Sequence, residues 1–494
     1  MNRDQGYLCR ILVIILFVAG FSPMVCGQFP SGNGSGFFLL PTVIEVGDSP
    51  LEMVVGDLDL DGNPDLIVGT DSADGVQVLI GTGDGQFDPN TITSTMIPEQ
   101  LEEMFLGHFD SDGFLDLIYI SSGTGNFYLL RGDGSGALLA AELIYQYVDP
   151  VIGTTMADLT GDGYGDFVLS SICGITGCVN TRLLLCDGDG GLDLSVQEFP
   201  VSSSSACADI DGDGDLDLAI AGADYALLET YLNDGAGAFS LSTVTNTGEA
   251  LVKLLVADVM SMDDDGNPDS VLDGVIDIIA LPEFTEALQF FPGDAAGGFG
   301  GPYSGYSDGE ISSVGELYFA QLDGALAPEL IMYTYGPDMM TVFLGGGTNG
   351  FPFGDLATYP LLSNPSCLVI ADFNLDTVLD VVVSSYSDDS VSVYLGEEAS
   401  ARFIRGDMNF DNVVNIADPV GLLNLLFNNP GPLTGCLDVF DFNDDGDVDI
   451  SDSVYLLQYL FTGGSAPPAP FPSCGIDATP DTLDCLVPVN PSCP

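Results

Sequence analysis

Short apolar runs alternate with turns rich in glycine and aspartate along most of the chain, as in Leu51–Val55 and Leu66–Val68 around an acidic turn. Short runs bounded by Gly and Asp are typical of β-strands. No helical period of apolar residues appears before about residue 418. The pattern therefore predicts a long all-β region followed by a small α-helical one.

The acidic turns recur about every 50 residues, which indicates an internal repeat. The clearest copy is Asp57–Asp65, which has carboxylates at positions one, three, five and nine. The seven loops begin at Asp57, His108, Asp158, Asp209, Asp258, Gln321 and Asp372. Each repeat has strands on both sides of the loop, a third strand, a glycine turn such as Gly83–Phe87 and a weaker fourth strand. Four strands in each of seven repeats predict a seven-bladed β-propeller.

The two ends of the repeat region complement each other. The seventh repeat contains the strand Val391–Leu395 but no fourth strand after it. Near the N-terminus, Gly32–Phe37 has the sequence of a blade turn and Phe38–Val46 that of an outer strand. We therefore expect the N-terminal strand to complete blade seven and close the ring, which removes exposed sheet edges. The predicted propeller spans residues 28–403.

The loops resemble the FG-GAP/VCBS repeats of integrin-α-like propellers over about residues 30–403. In that family the loop binds calcium, an ion that takes six to eight oxygen ligands at about 2.3–2.6 Å. The resemblance implies these ligands in the four intact loops: Asp57, Asp59, Asp61, Asp65 and the carbonyl of Asn63 in blade one; Asp158, Thr160, Asp162 and Asp166 in blade three; Asp209, Asp211, Asp213 and Asp217 in blade four; Asp372, Asn374, Asp376 and Asp380 in blade seven. The alternative is that these carboxylates are solvated turn residues.

Three loops depart from the pattern. In blade two His108 precedes the remaining acidic residues, and imidazole is a poor calcium ligand, so we expect a weak or water-assisted site. In blade five an insertion between the first and later carboxylates either extends the site or forms a long loop. Blade six is expected to bind nothing. The residues concerned are Asp110, Asp112 and Asp116 in blade two; Asp258, Asp273 and Asp277 in blade five; Gln321, Asp323, Ala325 and Glu329 in blade six.

Residues 404–463 contain two loop–helix units, and the second repeats the first after 34 residues. Both loops have the oxygen spacing of EF-hand calcium loops, with Asp at position twelve. The predicted ligands are Asp407, Asn409, Asp411, Val413, Asn415 and Asp418 in the first loop, and Asp441, Asn443, Asp445, Asp447, Asp449 and Asp452 in the second. In the first helix Pro419 suits the first position, and an apolar face follows that comprises Leu422, Leu423, Leu425, Leu426 and Phe427.

These two units resemble a type I dockerin. In that family calcium folds the module and its helices dock onto a cohesin domain. Partner recognition lies partly at loop positions ten and eleven, which are Ile416 and Ala417 in the first loop and Ile450 and Ser451 in the second. Many dockerins carry Ser/Thr pairs there, so this module differs from cellulosome-type specificity. The alternative is a calcium clamp that docks within the same chain.

Residues 1–27 have two arginines, a short apolar run and small residues, which predicts a secretory signal peptide and a secreted, possibly cell-surface, protein. The run is short for a membrane anchor, and no later segment is a candidate membrane span. Cleavage leaves nine cysteines, an odd number, so at least one thiol is expected outside an intramolecular disulfide. Residues 464–494 are predicted to form a Pro-rich linker and a tail that contains cysteines.

The net charge of −67 repels phosphate backbones, so nucleic acid is a poor partner. His108 is the sole histidine, which leaves no Ser-His-Asp or zinc arrangement, and we expect no enzyme activity. Arg131-Gly132-Asp133 spells an adhesion tripeptide but falls inside a repeating turn. The leading hypothesis is a secreted calcium-binding protein that binds an extracellular protein or glycan and attaches to a cohesin-like partner. The alternatives are an accessory or catalytic component of extracellular polysaccharide catabolism, and a structural cell-envelope protein.

Overall fold

The computed structural model describes residues 34–71, 75–88, 90–147, 151–172, 179–200, 202–222, 226–259, 261–262, 268–269, 273–282, 288–294, 296–304, 314–322, 328–336, 338–345, 353–398, 403–409, 413–427 and 437–472. Its contacts divide the chain into two compact units, Met1–Glu397 and Glu398–Pro494. The first unit is built from β-strands, and the second contains both described α-helices.

The first unit contains seven four-stranded antiparallel sheets, the blades of a seven-bladed propeller. In order from first to fourth strand they are Pro50–Gly56, Asp65–Thr70, Val76–Leu79 and Thr93–Thr95 in blade one; Leu101–Gly107, Asp116–Ser121, Phe127–Leu130 and Glu142–Tyr145 in blade two; Val151–Ala157, Asp166–Ile172, Val179–Cys186 and Leu192–Phe199 in blade three; Ser202–Ala208, Asp217–Gly222, Leu227–Asn233 and Phe239–Asn246 in blade four; Leu251–Ala257, Asp277–Pro282, Gln289–Phe291 and Tyr303–Ser304 in blade five; Val314–Ala320, Glu329–Thr334, Met339–Gly345 and Phe353–Pro360 in blade six; Pro365–Ala371, Asp380–Ser385, Ser390–Tyr394 and Thr42–Glu45 in blade seven. Three two-stranded pairs accompany them: Gly34–Phe38 with Gly396–Glu398, Ser261–Met262 with Pro268–Asp269, and Gly293–Asp294 with Gly298–Phe299.

The N-terminal strand closes the ring, as the sequence predicts. Thr42–Glu45 pairs antiparallel with Ser390–Tyr394 and forms the outer edge of blade seven. The strand is shorter than the predicted 38–46. A cluster of buried apolar side chains joins blade one to blade seven, and it includes Val55, Val68, Val369 and Val382. The seventh blade is therefore assembled from both ends of the repeat region.

Burial falls from the first two strands of a blade to its fourth. All six residues of Asp65–Thr70 are buried, whereas the fourth strand Thr93–Thr95 is exposed or half-buried. The buried apolar side chains form clusters that each draw on two or three neighbouring blades. The core of the propeller thus lies between blades packed face to face, which is where apolar burial contributes about 25 cal/mol per Å².

Every first strand has an irregular register near its start, between Pro50 and Glu52 in blade one. The residue after this irregularity is ionisable and buried in four blades: Glu52, Glu103, Lys253 and Glu316. Burial, followed by the charges of Glu316 and Glu103, raises the pKa of Glu52 well above its ordinary value. The Lys253 Nζ atom donates a hydrogen bond of 2.6 Å to the carbonyl of Gly315.

The second unit contains two α-helices, Ala417–Phe427 and Ile450–Thr462, and the 3-10 turn Leu437–Val439. The helices pack around a small core that comprises Phe403, Leu422, Val439, Phe440, Phe442 and Leu456. The first helix begins at Ala417, so Pro419 occupies its first turn rather than its first position. Phe427, predicted to belong to the apolar face, is 64% exposed, whereas Leu422 on that face is fully buried.

The segment that follows the second helix lies against this unit. The Arg405 N–H donates to the carbonyl of Pro470 at 2.6 Å, and its Nε donates to that of Ala469 at 3.2 Å. Tyr455 donates its hydroxyl hydrogen to the carbonyl of Ala466. Arg405 itself is fully buried, and its guanidinium lies 3.0 Å from the carboxylate of Asp444. Residues 464–472, predicted as part of a linker, therefore contact the module.

Several predictions concern other parts of the chain. The signal peptide 1–27 lies outside the described residues, as do six of the nine remaining cysteines: Cys173, Cys178, Cys436, Cys474, Cys485 and Cys493. Among the described residues, Cys186, Cys207 and Cys367 lie buried in strands as thiols, which agrees with the expectation of at least one thiol outside an intramolecular disulfide. Among the residues that the structure describes, no helix has the length and apolar character needed to cross a membrane.

Candidate metal-binding loops

The seven acidic loops connect the first strand of a blade to its second. The ninth loop residue, or its equivalent after the insertion in blade five, is the first residue of the second strand in every blade: Asp65, Asp116, Asp166, Asp217, Asp277, Glu329 and Asp380. Each of these acidic residues is buried. A buried carboxylate requires hydrogen-bond partners, and the surrounding backbone supplies them.

In blade one the Asp65 carboxylate accepts two backbone hydrogen bonds, from the N–H of Leu58 and from the N–H of Gly81, both at 2.8 Å. The same pair of contacts recurs in blades two, three, four, five and seven, and in blade six Glu329 accepts from Leu322. Burial raises the pKa of Asp65 to about 7, although the two N–H bonds lower it. We call this arrangement the position-nine brace, because it ties the loop to the last residue of the third strand or to a residue just after it.

The second loop residue is apolar and buried in all seven loops: Leu58, Phe109, Leu159, Ile210, Val259, Leu322 and Phe373. Its N–H donates to the position-nine brace, and in blades one, two, three and seven its carbonyl accepts from a group of the next blade. The Gly136 N–H donates to Leu58 at 3.3 Å, and the Gly85 N–H to Phe373 at 3.0 Å. The loops therefore join neighbouring blades. Ligand-based reasoning missed these residues, although an apolar residue at position two of every loop is visible in the sequence.

The first, third and fifth loop residues hold the turn together. In blade one Asp57 accepts from the N–H groups of Asp61 and Gly62 at 3.1 and 2.9 Å, and Asp59 also accepts from Asp61 at 3.1 Å. Gly62 has φ +92°, a left-handed conformation that glycine adopts without strain. One carboxylate oxygen each of Asp57, Asp59 and Asp61 lies within 4.8 Å of the others. Burial and the charge of Asp61 raise the pKa of Asp59, because the loop concentrates negative charge.

The loops of blades three, four and seven repeat this geometry. Asp158 and Asp372 each accept two N–H bonds from the following turn, at 3.1 and 2.8 Å and at 3.0 and 2.8 Å. In blade four the carboxylates of Asp209, Asp211 and Asp217 come within 4.8 Å of one another. The structure thus brings the predicted ligands together, and it places each ninth residue in the brace as well.

The insertion in blade five leaves the described part of this geometry intact. Asp258 accepts from the N–H of Asp273 at 3.3 Å and from that of Gly274 at 2.9 Å. Asp277 makes both contacts of the position-nine brace. Of the inserted residues, Ser261–Met262 pair antiparallel with Pro268–Asp269, and residues 260, 263–267 and 270–272 lie outside the described part.

Blade two differs at the first position. The Nδ1 atom of His108 lies 2.8 Å from the carbonyl oxygen of Phe114, and it donates a hydrogen bond because a carbonyl only accepts. The guanidinium of Arg131 pairs with the carboxylate of Asp110. Asp110, Asp112 and Asp116 nevertheless form a close acidic group within 4.8 Å. In blade six Asp323 and Ala325 lie outside the described residues.

Comparison with known proteins agrees with this architecture. Residues 108–169 match the family model described as an FG-GAP-like repeat. The chain carries an FG-GAP-like repeat. It also resembles a chain of the solved structure "BBS1N in complex with ARL6DN", at 11% sequence identity and a TM-score of 0.50, over 73% of this chain and 98% of that one. Identity this low shows the fold alone, and no curated protein sequence matches the chain.

Whether the FG-GAP-like loops suit calcium can be tested on their oxygen atoms. Asp209 Oδ1 at position one of blade four and Thr160 Oγ1 at position three of blade three are buried and make no hydrogen bond to the described residues. A buried oxygen without a partner costs about 1–3 kcal/mol. Carboxylate and hydroxyl oxygens are the hard ligands that calcium prefers. The donor sets of the loops in blades three and four therefore fit the ion, and they would hold it by positions one, three and five.

The two C-terminal loops share one hydrogen-bond pattern. The N–H groups of Asn409 and Asn415 donate to Asp418 at 3.4 and 2.8 Å, and the N–H groups of Asn443 and Asp449 donate to Asp452 at the same distances. Burial raises the pKa of Asp452 to about 7.

The predicted ligands of the C-terminal loops have different roles in the structure. Asp441 accepts from the N–H groups of Asp445 and Gly446 at 3.2 and 2.8 Å, as position one does in the propeller. Asn443 Oδ1 is buried without a hydrogen bond to the described residues. Asp449 caps the second helix by accepting from the hydroxyl and the N–H of Ser451, and these two bonds, the hydroxyl bond first, lower its pKa. Asp411 lies outside the described residues.

Proposed function

We propose that this is a secreted, non-enzymatic, calcium-binding protein. Its propeller binds an extracellular protein or glycan, and its C-terminal module is a dockerin-type attachment to a cohesin-like partner. The calcium proposal rests on one observation: ligand-position oxygens of Thr160, Asp209 and Asn443 are buried without a hydrogen-bond partner among the described residues. A bound calcium ion supplies that partner in three separate loops.

A melting experiment tests the calcium proposal. The mature chain is unfolded by heat in millimolar calcium and again after exhaustive chelation, with magnesium as the matched divalent control. We expect a higher melting temperature in calcium, because a ligand that binds only the folded state stabilises it by about 2.7 kcal/mol at 100 times its dissociation constant. An identical melting temperature in all three conditions would overturn the proposal.

The attachment proposal is supported by the surface of the C-terminal helices. Three pairs of large apolar side chains are exposed at equivalent positions of the two units, 34 residues apart: Ile416 and Ile450, Val420 and Val454, Phe427 and Phe461. Exposed apolar groups that recur on both helices favour a protein partner, since apolar side chains dominate the centres of protein interfaces. The module offers this surface twice.

A pull-down from secreted and surface proteins of the host tests the attachment. The full chain with Phe427→Ser and Phe461→Ser is compared with the wild type and with Leu241→Ser, a control on an exposed outer strand of the propeller. We expect the wild type and the control to capture a cohesin-like protein in calcium and to lose it in chelator. Undiminished capture by the double variant would contradict the proposed surface.

Two further experiments address secretion and catalysis. N-terminal sequencing of protein recovered from the medium is expected to begin at residue 28, and a cell-retained chain that starts at Met1 would overturn secretion. A screen with soluble and insoluble polysaccharides is expected to yield binding without hydrolysis. Turnover of any glycan would instead support the alternative of a catalytic role in polysaccharide breakdown.

A further inference from the structure

Blade two is distinguished by a basic side chain that pairs with its acidic loop. Arg131 follows the third strand Phe127–Leu130, and its guanidinium pairs with the carboxylate of Asp110 at loop position three. Among the described propeller residues the other basic side chains, apart from His108, are Arg182, in a third strand, and Lys253, in a first strand. Neither belongs to an acidic loop. The acidic loop of blade two therefore has a basic side chain beside it.

A second side chain of the blade-two loop is also bonded to another protein group. The imidazole of His108 donates to the carbonyl of Phe114 at 2.8 Å, so positions one and seven bind each other. The equivalent carbonyl in blade one belongs to Asn63, which the family resemblance assigns to the metal. In blade two the groups at positions one, three and seven are thus bonded to other protein groups. The donor set does not fit a calcium ion, despite the close spacing of its carboxylates.

We propose that Arg131 is the resident cation of blade two, where its single positive charge offsets the Asp110 carboxylate in place of a calcium ion. A guanidinium remains charged at every physiological pH and presents several N–H donors in a fixed plane. This loop is therefore closed without metal. The contrast with the other loops rests on the proposed calcium function, whereas the structural role of Arg131 does not.

Arg131 also connects blade two to blade three. Its Nη2 atom donates a hydrogen bond of 3.3 Å to the carbonyl of Asp189, and Asp110 and Asp189 pair through their backbones. A Cβ atom built on Gly190 would lie 2.5 Å from Nη2, so the glycine leaves space for the guanidinium. The same side chain that neutralises one loop thereby fixes that loop against the turn of the next blade.

The number of bound calcium ions tests the proposal on the mature full-length protein. Asp112→Asn in blade two and Asp213→Asn in blade four change the same loop position, and each removes one negative charge. After equilibrium dialysis against calcium, we expect Asp213→Asn to hold one ion fewer than the wild type and Asp112→Asn to hold the same number. Loss of one ion in Asp112→Asn would overturn the proposal.

Melting in chelator provides an independent readout. Arg131→Gln is expected to melt about 1–3 °C below the charge-matched control Arg182→Gln, because it leaves the acidic loop without a cation. The double variant His108→Asp/Arg131→Gln restores the acidic pattern, and it is expected to bind one additional calcium ion. Equal melting of Arg131→Gln and Arg182→Gln would contradict the role of Arg131. A wild type that binds no calcium would refute the calcium function instead, and the chelator comparison would still test Arg131.

Discussion

The loops of blades four and two share one framework and differ in the cation they require. Asp217 and Asp116 make the same position-nine brace, and Ile210 and Phe109 fill the same buried second position. In blade four Asp209 Oδ1 is buried without a hydrogen bond to the described residues, whereas in blade two Arg131 pairs with the acidic loop. The brace thus builds the blade, and positions one, three and five decide whether an ion is needed.

The largest expected effect comes from the shared brace. Asp116→Ala and Asp217→Ala each leave two buried N–H groups without an acceptor, and we expect each to lower the free energy of unfolding by about 3 kcal/mol. Because the brace does not depend on metal, the two losses should be similar in chelator. Denaturant unfolding followed by circular dichroism measures them. If Asp116→Ala is as stable as the wild type, the brace does not stabilise blade two as it does blade four.

The next effect separates the two loops. Asp209→Asn removes a charged ligand at position one of blade four, and we expect a loss of about 2 kcal/mol in saturating calcium and little change in chelator. The control Asp193→Asn removes one exposed acidic charge outside the loops. Thermal unfolding in both buffers gives the difference. If Asp209→Asn is equally destabilised in calcium and in chelator, position one supports only the turn.

The comparison extends to the first strands, where blade two contributes Glu103 and blade four Ser204 at equivalent positions. Burial, together with the charges of Glu316 and Glu103, raises the pKa of Glu52, which also faces Cys367 and Lys253. Protonated Glu52 therefore contributes stability that is complete below the pKa of the unfolded chain, near about 4.3, and is lost as pH rises through the folded-state pKa.

The variant Glu52→Gln carries a neutral side chain of the same shape at every pH. We expect it to melt like the wild type near pH 4 and above the wild type at pH 8. Glu45→Gln, an exposed outer-strand control, should show no such pH dependence. If Glu52→Gln changes the melting temperature equally at both pH values, the buried charge of Glu52 does not cause the pH dependence.

The smallest effect concerns the fourth loop position. Gly212 in blade four has φ +78°, and a Cβ atom there would meet no heavy atom within 4 Å. Gly212→Ala is therefore expected to cost only the strain of a left-handed residue, about 1 kcal/mol. Blade two has the exposed Ser111 at this position, and Ser111→Ala should be neutral. A neutral Gly212→Ala would mean that the loop relaxes around the substitution.

The architecture was predictable because the acidic loops recur at a regular interval along the sequence. The regular return of Asp57–Asp65 marks the blades, and the missing last strand near Val391–Leu395 indicates closure by the N-terminus, which Thr42–Glu45 confirms. The strand ends were less predictable, since Phe38 pairs elsewhere, in Gly34–Phe38 with Gly396–Glu398. Such details depend on contacts between residues more than 300 positions apart.

The separate structural roles of the loop residues were not predictable from ligand spacing. Asp65 was predicted as a metal ligand, and both of its oxygens accept backbone hydrogen bonds, one from Gly81 just after the third strand. Arg131 was assigned only to a repeating turn, because its contact with Asp110 spans 21 residues and its contact with Asp189 spans 58. These roles arise from contacts between residues far apart in the sequence, which a repeat pattern does not reveal.

Calcium binding to the mature chain, measured by titration calorimetry, tests the central claim most directly. We expect saturable binding of several ions, one of them lost in Asp209→Asn and none lost in Asp112→Asn, together with a lower melting temperature after chelation. A chain that takes up no calcium and melts at the same temperature with and without chelator would contradict it.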